Sequence, residues 1–498
     1  MESKQYILSP KEAHAAEQQW RIIKRSIDAR QRELRVHLTI LTDDRGNPVP
    51  KDAPIPLYTP PVFQDVHNAA RSTIIIGAGP AGLFAALTLI EHGIKPIIYE
   101  RGKEVSERKK DIALLNRNEG LNPESNYCFG EGGAGTFSDG KLFSRSKKRG
   151  NMQRVMELFH FFGAPDTVLY EAHAHIGSDK LPGIIKNMRE CILAHGGEIH
   201  FETKIESLST LNFKHSTSPM ILAIGHSAHD TYRMLAAEGV TLETKGFAMG
   251  VRAEHPQSLI NKLMYHLDIS RSRDLEMINY VGNASYSLVT QVDGRGVYSF
   301  CMCPGGHIVP AGSSADSCVV NGMSASHRNS PYANSGMVVQ INPEDIPGDD
   351  PLRGLEFQEA LERMAFEHGG PQAQAPAQRL KDFVEGKPSK DLPACSYLPG
   401  IVPSRLDQWL PAHIGKRLQQ GFRDFDRKYP GFLTNDAVIL GVESRSSSAV
   451  RIHRDPETLQ SVSTPGLYPC GEGAGYAGGI TSSALDGINA ALQIAALA

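Results

Sequence analysis

Ile74-Ile75-Ile76-Gly77-Ala78-Gly79-Pro80-Ala81-Gly82, followed by the apolar run Leu83 to Ile90 and closed by Ile97-Ile98-Tyr99-Glu100, decides the fold. By residue type it is a strand, a glycine turn, a helix and a second strand ending in an acid. Gly77 permits the tight turn, Gly79 lets the backbone approach a pyrophosphate, and Gly82 lets the helix pack closely on the strand. Ala78, Pro80 and Ala81 complete the turn and open the helix, whose N-terminus faces the diphosphate. Glu100 stands where a carboxylate hydrogen-bonds an adenosine ribose, so the expected ligand is a dinucleotide.

The far end of the chain separates NAD from FAD. Thr464 to Glu472 is a short strand ending in Gly471-Glu472, and Gly475 to Ile480 leads into the helical run Thr481 to Leu497. FAD extends beyond its adenosine half, so a flavoprotein brings a late strand back beside the first one. The acid at 472 suits the ribityl or pyrophosphate hydroxyls. Amides of Gly478, Gly479 and Ile480 at a helix N-terminus can stabilise the negative charge of reduced flavin near N1 and O2. Between these ends, Met220 to His226 is an apolar strand that carries Ala223 and ends in Gly225, as expected where the chain passes the cofactor. Gly197 to Thr203 reads as another strand, after which Lys204 and Ile205 can offer backbone groups to the adenine.

These stretches, together with Lys24 to Arg30, Asn122 to Thr136, Ser138 to Leu142, Cys301 to Gly306 and Gly441 to Arg445, resemble a bacterial family of FAD-dependent dehydrogenases. That family is a branch of the glutathione-reductase-fold flavoproteins without a separate NAD domain and has no settled substrate. The resemblance runs from about Lys24 to the C-terminus and implies FAD as cofactor. It places the glycine-rich segment Gly130 to Leu142 near the isoalloxazine, with Gly132, Gly133 and Lys141 as contacts, and adds Arg101 beside Glu100. One departure is local: only Glu206 to Pro219 separates the strands at Phe201 and Ile221, so the usual polar hairpin is shortened.

A length of 498 residues implies two to four domains. The formal net charge of -3 gives no general attraction to nucleic acid or anionic membrane. The basic cluster Arg145-Ser146-Lys147-Lys148-Arg149 reads as a solvated loop that can also meet a phosphate-bearing substrate. No apolar stretch approaches the ~20 residues of a membrane span. The charged segment Met1 to Arg35 lacks a signal-peptide core, which points to the cytoplasm. Seven cysteines form neither a disulfide framework nor a metal spacing. His173 and His175 lack a completing acid or cysteine, so no metal is expected.

The expected fold class is α/β: an FAD-binding Rossmann-type three-layer domain, an inserted antiparallel β-rich substrate domain, and a small N-terminal α+β appendage. Residues 1–62 form the appendage and a Pro-rich linker, with Ser9-Pro10-Lys11-Glu12 as a capped helix start and a basic helix around Arg21 to Arg35. The FAD-binding domain takes 63–244 and resumes over 396–498, with helices over Met152 to Phe162 and Pro182 to His195. The insert, 245–395, holds strands over Ser285 to Gln291, Val297 to Cys303, His307 to Pro310, Cys318 to Asn321 and Gly336 to Ile341. A turn is expected at Asp293-Gly294, and helices over Leu355 to His368 and Ala377 to Val384.

No second GxGxxG follows a strand, so reducing equivalents come from a substrate or from NAD(P)H docking transiently in the flavin cavity. The expected activity is a FAD-dependent oxidoreductase, a dehydrogenase or reductase, moving hydride through flavin N5 to or from a small organic substrate. Candidate catalytic residues are Lys141, a cation for N5 or a substrate oxygen, and Arg445, whose guanidinium suits a carboxylate clamp. His226 is an acid–base alternative to a structural histidine. Cys301 and Cys303, two apart in a strand, point to one face and make a thiol relay conceivable, although an i,i+2 bridge in extended chain nears the ~6.8 Å limit for Cα separation. Tyr298 to Pro304 resembles the aromatic strand of prenyl reductases, so double-bond reduction of a hydrophobic substrate is one alternative. A non-catalytic FAD-binding regulator that recruits partners through the appendage is another.

Overall fold

The computed structural model describes residues 2–31, 33–143, 150–211, 218–371 and 373–497; the basic cluster at 145–149 lies outside them. The chain opens with β1 (Glu2–Leu8), α1 (Pro10–Gln19), β2 (Ile22–Asp28) and β3 (Arg35–Thr42), an antiparallel sheet ordered β1-β3-β2. Ser9 caps α1, and the Glu12 carboxylate accepts from the Ser9 amide at 2.9 Å. The basic helix expected over Arg21 to Arg35 is instead β2. Its pairing sets Ile22 opposite Ile40 and Ile27 opposite Val36, and such apolar cross-strand pairs outweigh the local charge pattern.

The next part is β4 (Ser72–Ile76), α2 (Pro80–Glu91), β5 (Lys95–Tyr99), α3 (Val105–Asn116), α4 (Met152–Phe161), α5 (Leu181–Ala194), β6 (Glu198–His200), β7 (Met220–Leu222) and α6 (His229–Ala237). Side chains alternate across this Rossmann-like parallel sheet. Ile75, Ile98 and Ile221 join α2, α4 and α5 in one apolar cluster, while Ile76, Met220 and Leu222 join Tyr232 and Leu235 of α6 on the other face. Among the described residues no strand lies between β6 and β7.

The antiparallel part follows with β8 (Leu242–Thr244), β9 (Phe247–Pro256), α7 (Gln257–Tyr265), α8 (Ser272–Val281), β10 (Val289–Val292), β11 (Arg295–Cys303), β12 (His307–Pro310), β13 (Val320–Met323) and β14 (Tyr332–Ile341). It continues through α9 (Arg353–Glu367), β15 (Ala375–Arg379), α10 (Leu380–Glu385), β16 (Ile401–Pro403), α11 (Leu406–Trp409), α12 (Ala412–Lys428) and β17 (Val438–Glu443). Then β18 (Val450–Ile452) pairs with β8, and β19 (Leu467–Pro469) and α13 (Ile480–Ala495) finish the parallel layer. The parallel sheet is ordered β19-β7-β4-β5-β6 and the large second sheet β10-β11-β14-β9-β17-β15-β16. Asp293 and Gly294 turn β10 into β11 at φ 47° and 71°, the left-handed pair that an Asp-Gly hairpin uses.

Two expectations change here. Residues 377–379 are strand rather than helix, because Ala377 to Arg379 pair with Val438 to Leu440, and α10 starts only at Leu380. The boundary at 395/396 falls inside the antiparallel part, since the wholly buried β17 is inserted between β9 and β15. A pairing partner almost two hundred residues away leaves no local mark. The appendage also shares its core with this part, Val36, Leu38 and Ile40 clustering with Val251, Tyr265 and Val281. Among the described residues no helix is long and apolar enough to cross a membrane.

Candidate functional site

Backbone approaches backbone at the start of α2. Gly77 has φ 102°, and a Cβ there would lie 2.4 Å from the Ala223 oxygen; a Cβ on Gly82 would lie 2.0 Å from the Gly77 oxygen. Any side chain at these points would push the turn off the sheet. Gly132, at φ 80°, donates its amide to the Ala78 oxygen at 2.8 Å, and Gly133 stands against Gly79. Thus the turn 77–82 and the segment 130–135, apart in sequence, meet.

Glu100 braces this meeting. Its Oε2 accepts from the Ala78 amide at 2.8 Å, and its Oε1 from the amides of Gly102 and Gly130 at 2.9 and 3.0 Å. A carboxylate oxygen has two lone pairs, so Oε2 has the capacity for a second donor. Arg101 turns aside: it bonds Glu124 at 2.5 Å and forks onto Asp230 at 2.9 Å, with its guanidinium 4.1 Å from the Phe129 ring centre. Ile205 packs in the α6-side core with Leu208 and Tyr232.

Arg108 is the part that sequence reasoning misses. Wholly buried on α3, it donates to the carbonyls of Asn126, Tyr127, Glu131 and Gly133 at 2.7 to 3.1 Å and so holds the glycine-rich segment in shape. Burial lowers its ionisation to about 10, against the pull of nearby Glu100. A signal exists, since Arg108, Ile112 and Leu115 share one helix face by their i, i+4, i+7 spacing.

The C-terminal segment completes the groove. Gly471, at φ 77°, lies against Ala81, and its amide donates to Asp486 at 2.7 Å, a carboxylate that Arg454 grips at 2.7 and 3.0 Å. Gly478 and Gly479 are exposed, and a Cβ at either would meet nothing within 4 Å. The Gly478 amide donates to Ser482 Oγ at 3.1 Å. Ile480 opens α13 beside Gly135 and Pro80. Burial pushes the Glu472 carboxyl up to about 7, against the pull of the Lys245 ammonium. Glycine backbone converging at two helix N-termini, with a buried acid beside it, fits a long diphosphate-bearing cofactor. Gly77 to Gly82, Gly132, Gly133, Ala223, Gly225 and Gly471 to Ile480 all converge there.

Beyond the groove, the chemistry changes. Thr481 Oγ1, in the first turn of α13, donates to the Leu142 oxygen at 2.7 Å and so anchors Lys141 next to that helix end. Lys141 Nζ lies 3.0 Å from Asp139 and 3.7 Å from Cys303 Sγ. Burial favours the neutral amine, but Cys303, Cys301 and Asp139 outweigh it and hold the ammonium above its ordinary range. Asp139 is also gripped by Arg328. Arg252, wholly buried on β9, bonds Glu443 at 2.9 Å, Asn334 at 2.8 Å and the Cys301 oxygen at 2.9 Å, and lies 3.6 Å from Cys303 Sγ.

Arg445 is already clamped. Its Nε and Nη2 fork onto Glu362 at 2.8 and 2.7 Å, and its Nη1 bonds Ser313 at 2.9 Å. The bidentate partner expected from a substrate is therefore an internal acid. Arg445 lines a cavity of about 430 Å³ together with Arg101, Asp230 and His229. His226 is pulled down to about 3 by burial and by Arg445, so it stays neutral. His175 Nε2 is 3.1 Å from the Ser326 oxygen.

Comparison with known proteins bears on the cofactor. An FAD binding domain family matches residues 71–125, an FAD-dependent protein C-terminal domain-like family 246–446, and a domain of unknown function 4–42. A protein of Clostridium beijerinckii described as uncharacterised is 44% identical over 435 residues, 84% of this chain and 80% of its own. Among solved structures, CtdE in complex with FAD is 10% identical with a TM-score of 0.29, covering 85% of this chain and 83% of its own. The halogenase PltM is 14% identical with a TM-score of 0.33, covering 85% and 68%. The tetracycline destructase Tet(51) is 12% identical with a TM-score of 0.30, covering 86% and 83%. The cofactor is FAD.

Proposed function

The chain belongs to the family of the Clostridium beijerinckii protein and binds FAD, and from that premise we propose that it is an oxidoreductase acting on a small polar organic substrate. The observation that carries this reading is the convergence of residues 77–82, 130–135 and 471–480 on one another, with Lys141 anchored beside them. Bound there, the flavin supplies hydride chemistry at N5.

The chain's own residues supply placement and charge. The turn at Gly77 to Gly82 and the N-terminus of α2 hold the diphosphate, the second lone pair of Glu100 Oε2 takes a ribose hydroxyl, and Glu472 takes a ribityl hydroxyl. Amides of Gly479 and Ile480, at the positive end of α13, would hold the flavin's pyrimidine side and favour negative charge there. Lys141 keeps its proton at Nζ and offers a fixed cation to a substrate oxygen. NAD(P)H remains a transient donor in the same cavity, since the sequence holds a single dinucleotide fingerprint.

Arg252, Glu443, Asp139 and Lys141 support a polar substrate over a prenyl-like one. The appendage's buried apolar face supports a structural role over partner recruitment. The test is to denature purified protein, identify the released chromophore, and mix the holoprotein anaerobically with NADH, NADPH and a metabolite panel. Rapid flavin bleaching by one of these is expected. Failure to recover stoichiometric flavin after saturating reconstitution would end the reading.

A further inference from the structure

We propose that Cys301 and Cys303 form a dithiol–disulfide couple, with Cys301 the thiol that exchanges with a small organic disulfide. The proposal rests on the FAD reading in one respect only, that the flavin groove adjoins the pair.

The backbone prepares the two thiols. Between Phe300 and Cys303 the pairing of β11 with β14 slips, so that two residues of β11 oppose one of β14. Cys301 takes φ 49° in this bulge. A non-glycine residue in the left-handed region is strained, and such strain persists where the surroundings over-determine it, often at reactive sites. Here Arg252 pins the Cys301 carbonyl at 2.9 Å, and the Cys303 thiol donates to the same oxygen at 3.3 Å. The bulge breaks the extended geometry that would hold an i,i+2 pair near its limit and brings the Cys303 thiol onto the Cys301 carbonyl.

The surroundings distinguish the pair. Cys303 is buried between Lys141 and Arg252, whereas Cys301 is half-buried and approachable. The charged and titratable groups facing them are Lys141 with its partner Asp139, Arg252 on β9, Glu443 on β17, and each other. Interaction with Cys303, with Lys141 and Arg252 behind it, lowers the Cys301 thiol, and the same interaction together with burial raises Cys303. Elsewhere, burial pushes the Cys191 thiol up to about 11 and the Cys318 thiol up to about 12. A thiolate at neutral pH is the species that attacks disulfides.

The chemistry balances with an external disulfide RSSR as oxidant. The Cys301 thiolate attacks one sulfur, forming a mixed disulfide and releasing RS⁻, which is protonated. Cys303 gives up its proton and attacks the Cys301 sulfur, closing the internal disulfide and releasing the second RSH. Two electrons and the Cys303 proton pass from the pair to RSSR, the second proton comes from solvent, and two equivalents of a small thiol reverse the exchange.

The test uses the flavin-containing protein in buffers of hydroxyethyl disulfide and 2-mercaptoethanol, followed by acid quench, alkylation and mass analysis. The peptide carrying both residues is expected to change reversibly from two alkyl groups to none, with the loss of two hydrogen masses. Cys303→Ser is expected to accumulate a mercaptoethanol adduct on Cys301, and Cys301→Ser to form little on Cys303. Lys141→Gln, which leaves both thiols, is expected to raise the pH midpoint of Cys301 alkylation; at a fixed pH below the midpoint, a rise of about one pH unit slows alkylation roughly tenfold. A merely structural lysine would leave that midpoint unmoved. Two alkyl groups at every buffer ratio in the wild-type protein would overturn the proposal, and this measurement needs no variant to fold. A flavin-free preparation whose pair still cycles would support the couple independently of the oxidoreductase reading, which the flavin-bleaching assay tests by itself.

Discussion

Where the parallel sheet meets the glycine-rich turns, contact is backbone on backbone: Gly82 on Gly77, Gly133 on Gly79, Gly471 on Ala81. Where the antiparallel part meets the same region, the side chains are charged and paired, Arg252 with Glu443 inside the sheet and Arg328 and Lys141 with Asp139 across it, the first pair almost sealed from solvent at 0% and 2% exposure. The first surface has no room for an added atom and little interest in side-chain chemistry. The second has side chains to spare in volume and none to spare in charge.

The strongest way to break this contrast is Arg252→Met, which leaves Glu443 buried without a partner. A loss of about 3–5 kcal/mol is expected in urea denaturation, with most of it recovered in Arg252→Met/Glu443→Met, because an unpaired buried charge costs more than an absent pair. If the double variant is no better than the single one, the charge reading of this surface fails. Gly82→Ala comes next. Its Cβ would meet the Gly77 oxygen at 2.0 Å, so a loss of ~1–3 kcal/mol with poor flavin retention is expected. Gly183→Ala, in α5 with nothing within 4 Å of the new atom, is expected to stabilise slightly in the same melting assay.

Gly479→Val tests the open end of the groove. At φ 142° the backbone strongly favours glycine, which sets a cost of roughly 1–3 kcal/mol. The variant is expected to bind FAD weakly and to show a more negative flavin potential by spectroelectrochemistry. Gly294→Val, in the hairpin turn, should harm folding without moving the potential. An unchanged potential at full occupancy in Gly479→Val would remove those amides from the site.

The smallest effect is a pH slope. Burial raises the carboxyls of Glu472 and Glu131 from 4.5 to about 7 in the folded protein. Between these values the unfolded chain has released protons that the folded chain keeps, so stability falls as pH rises through this window. Urea midpoints of flavin-free protein should drop from pH 5 to pH 8, and Glu472→Gln should flatten part of the slope. A rising midpoint would contradict the sign.

The backbone surface is the legible one. Its glycines carry their reason in local spacing, so residues 74–82, 97–100 and 467–480 can be placed without a structure. The charged surface joins Arg252 to Glu443 across two strands that only tertiary pairing makes neighbours. Neither residue differs in its own neighbourhood from a solvated one. Arg445 shows the same limit from the other side: its guanidinium does act as a fork, but the acid in the fork, Glu362, comes from α9. Arg108 is within reach, since its helical spacing with Ile112 and Leu115 marks it as inward. Arg21 to Arg35 misleads because its charge is conspicuous locally, whereas the pairing of Ile22 and Ile27 with β3 is not.

The packing of α13 on α2 is close enough that a Cβ at Gly487 would lie 2.0 Å from the Ala81 oxygen, and β19 covers the edge of β7. During synthesis, then, β4, β5 and β7 leave the ribosome with that edge bare. At roughly 5–20 residues per second the closing strand arrives on the order of tens of seconds later. Through that interval the antiparallel part can complete its own sheet, whereas the nascent parallel sheet offers an unpaired strand to any neighbour. Chains stalled before β19 should therefore be protease-sensitive between β4 and β7 yet protected between β9 and β17. The last turn of the fold to be made is the one that shields the first.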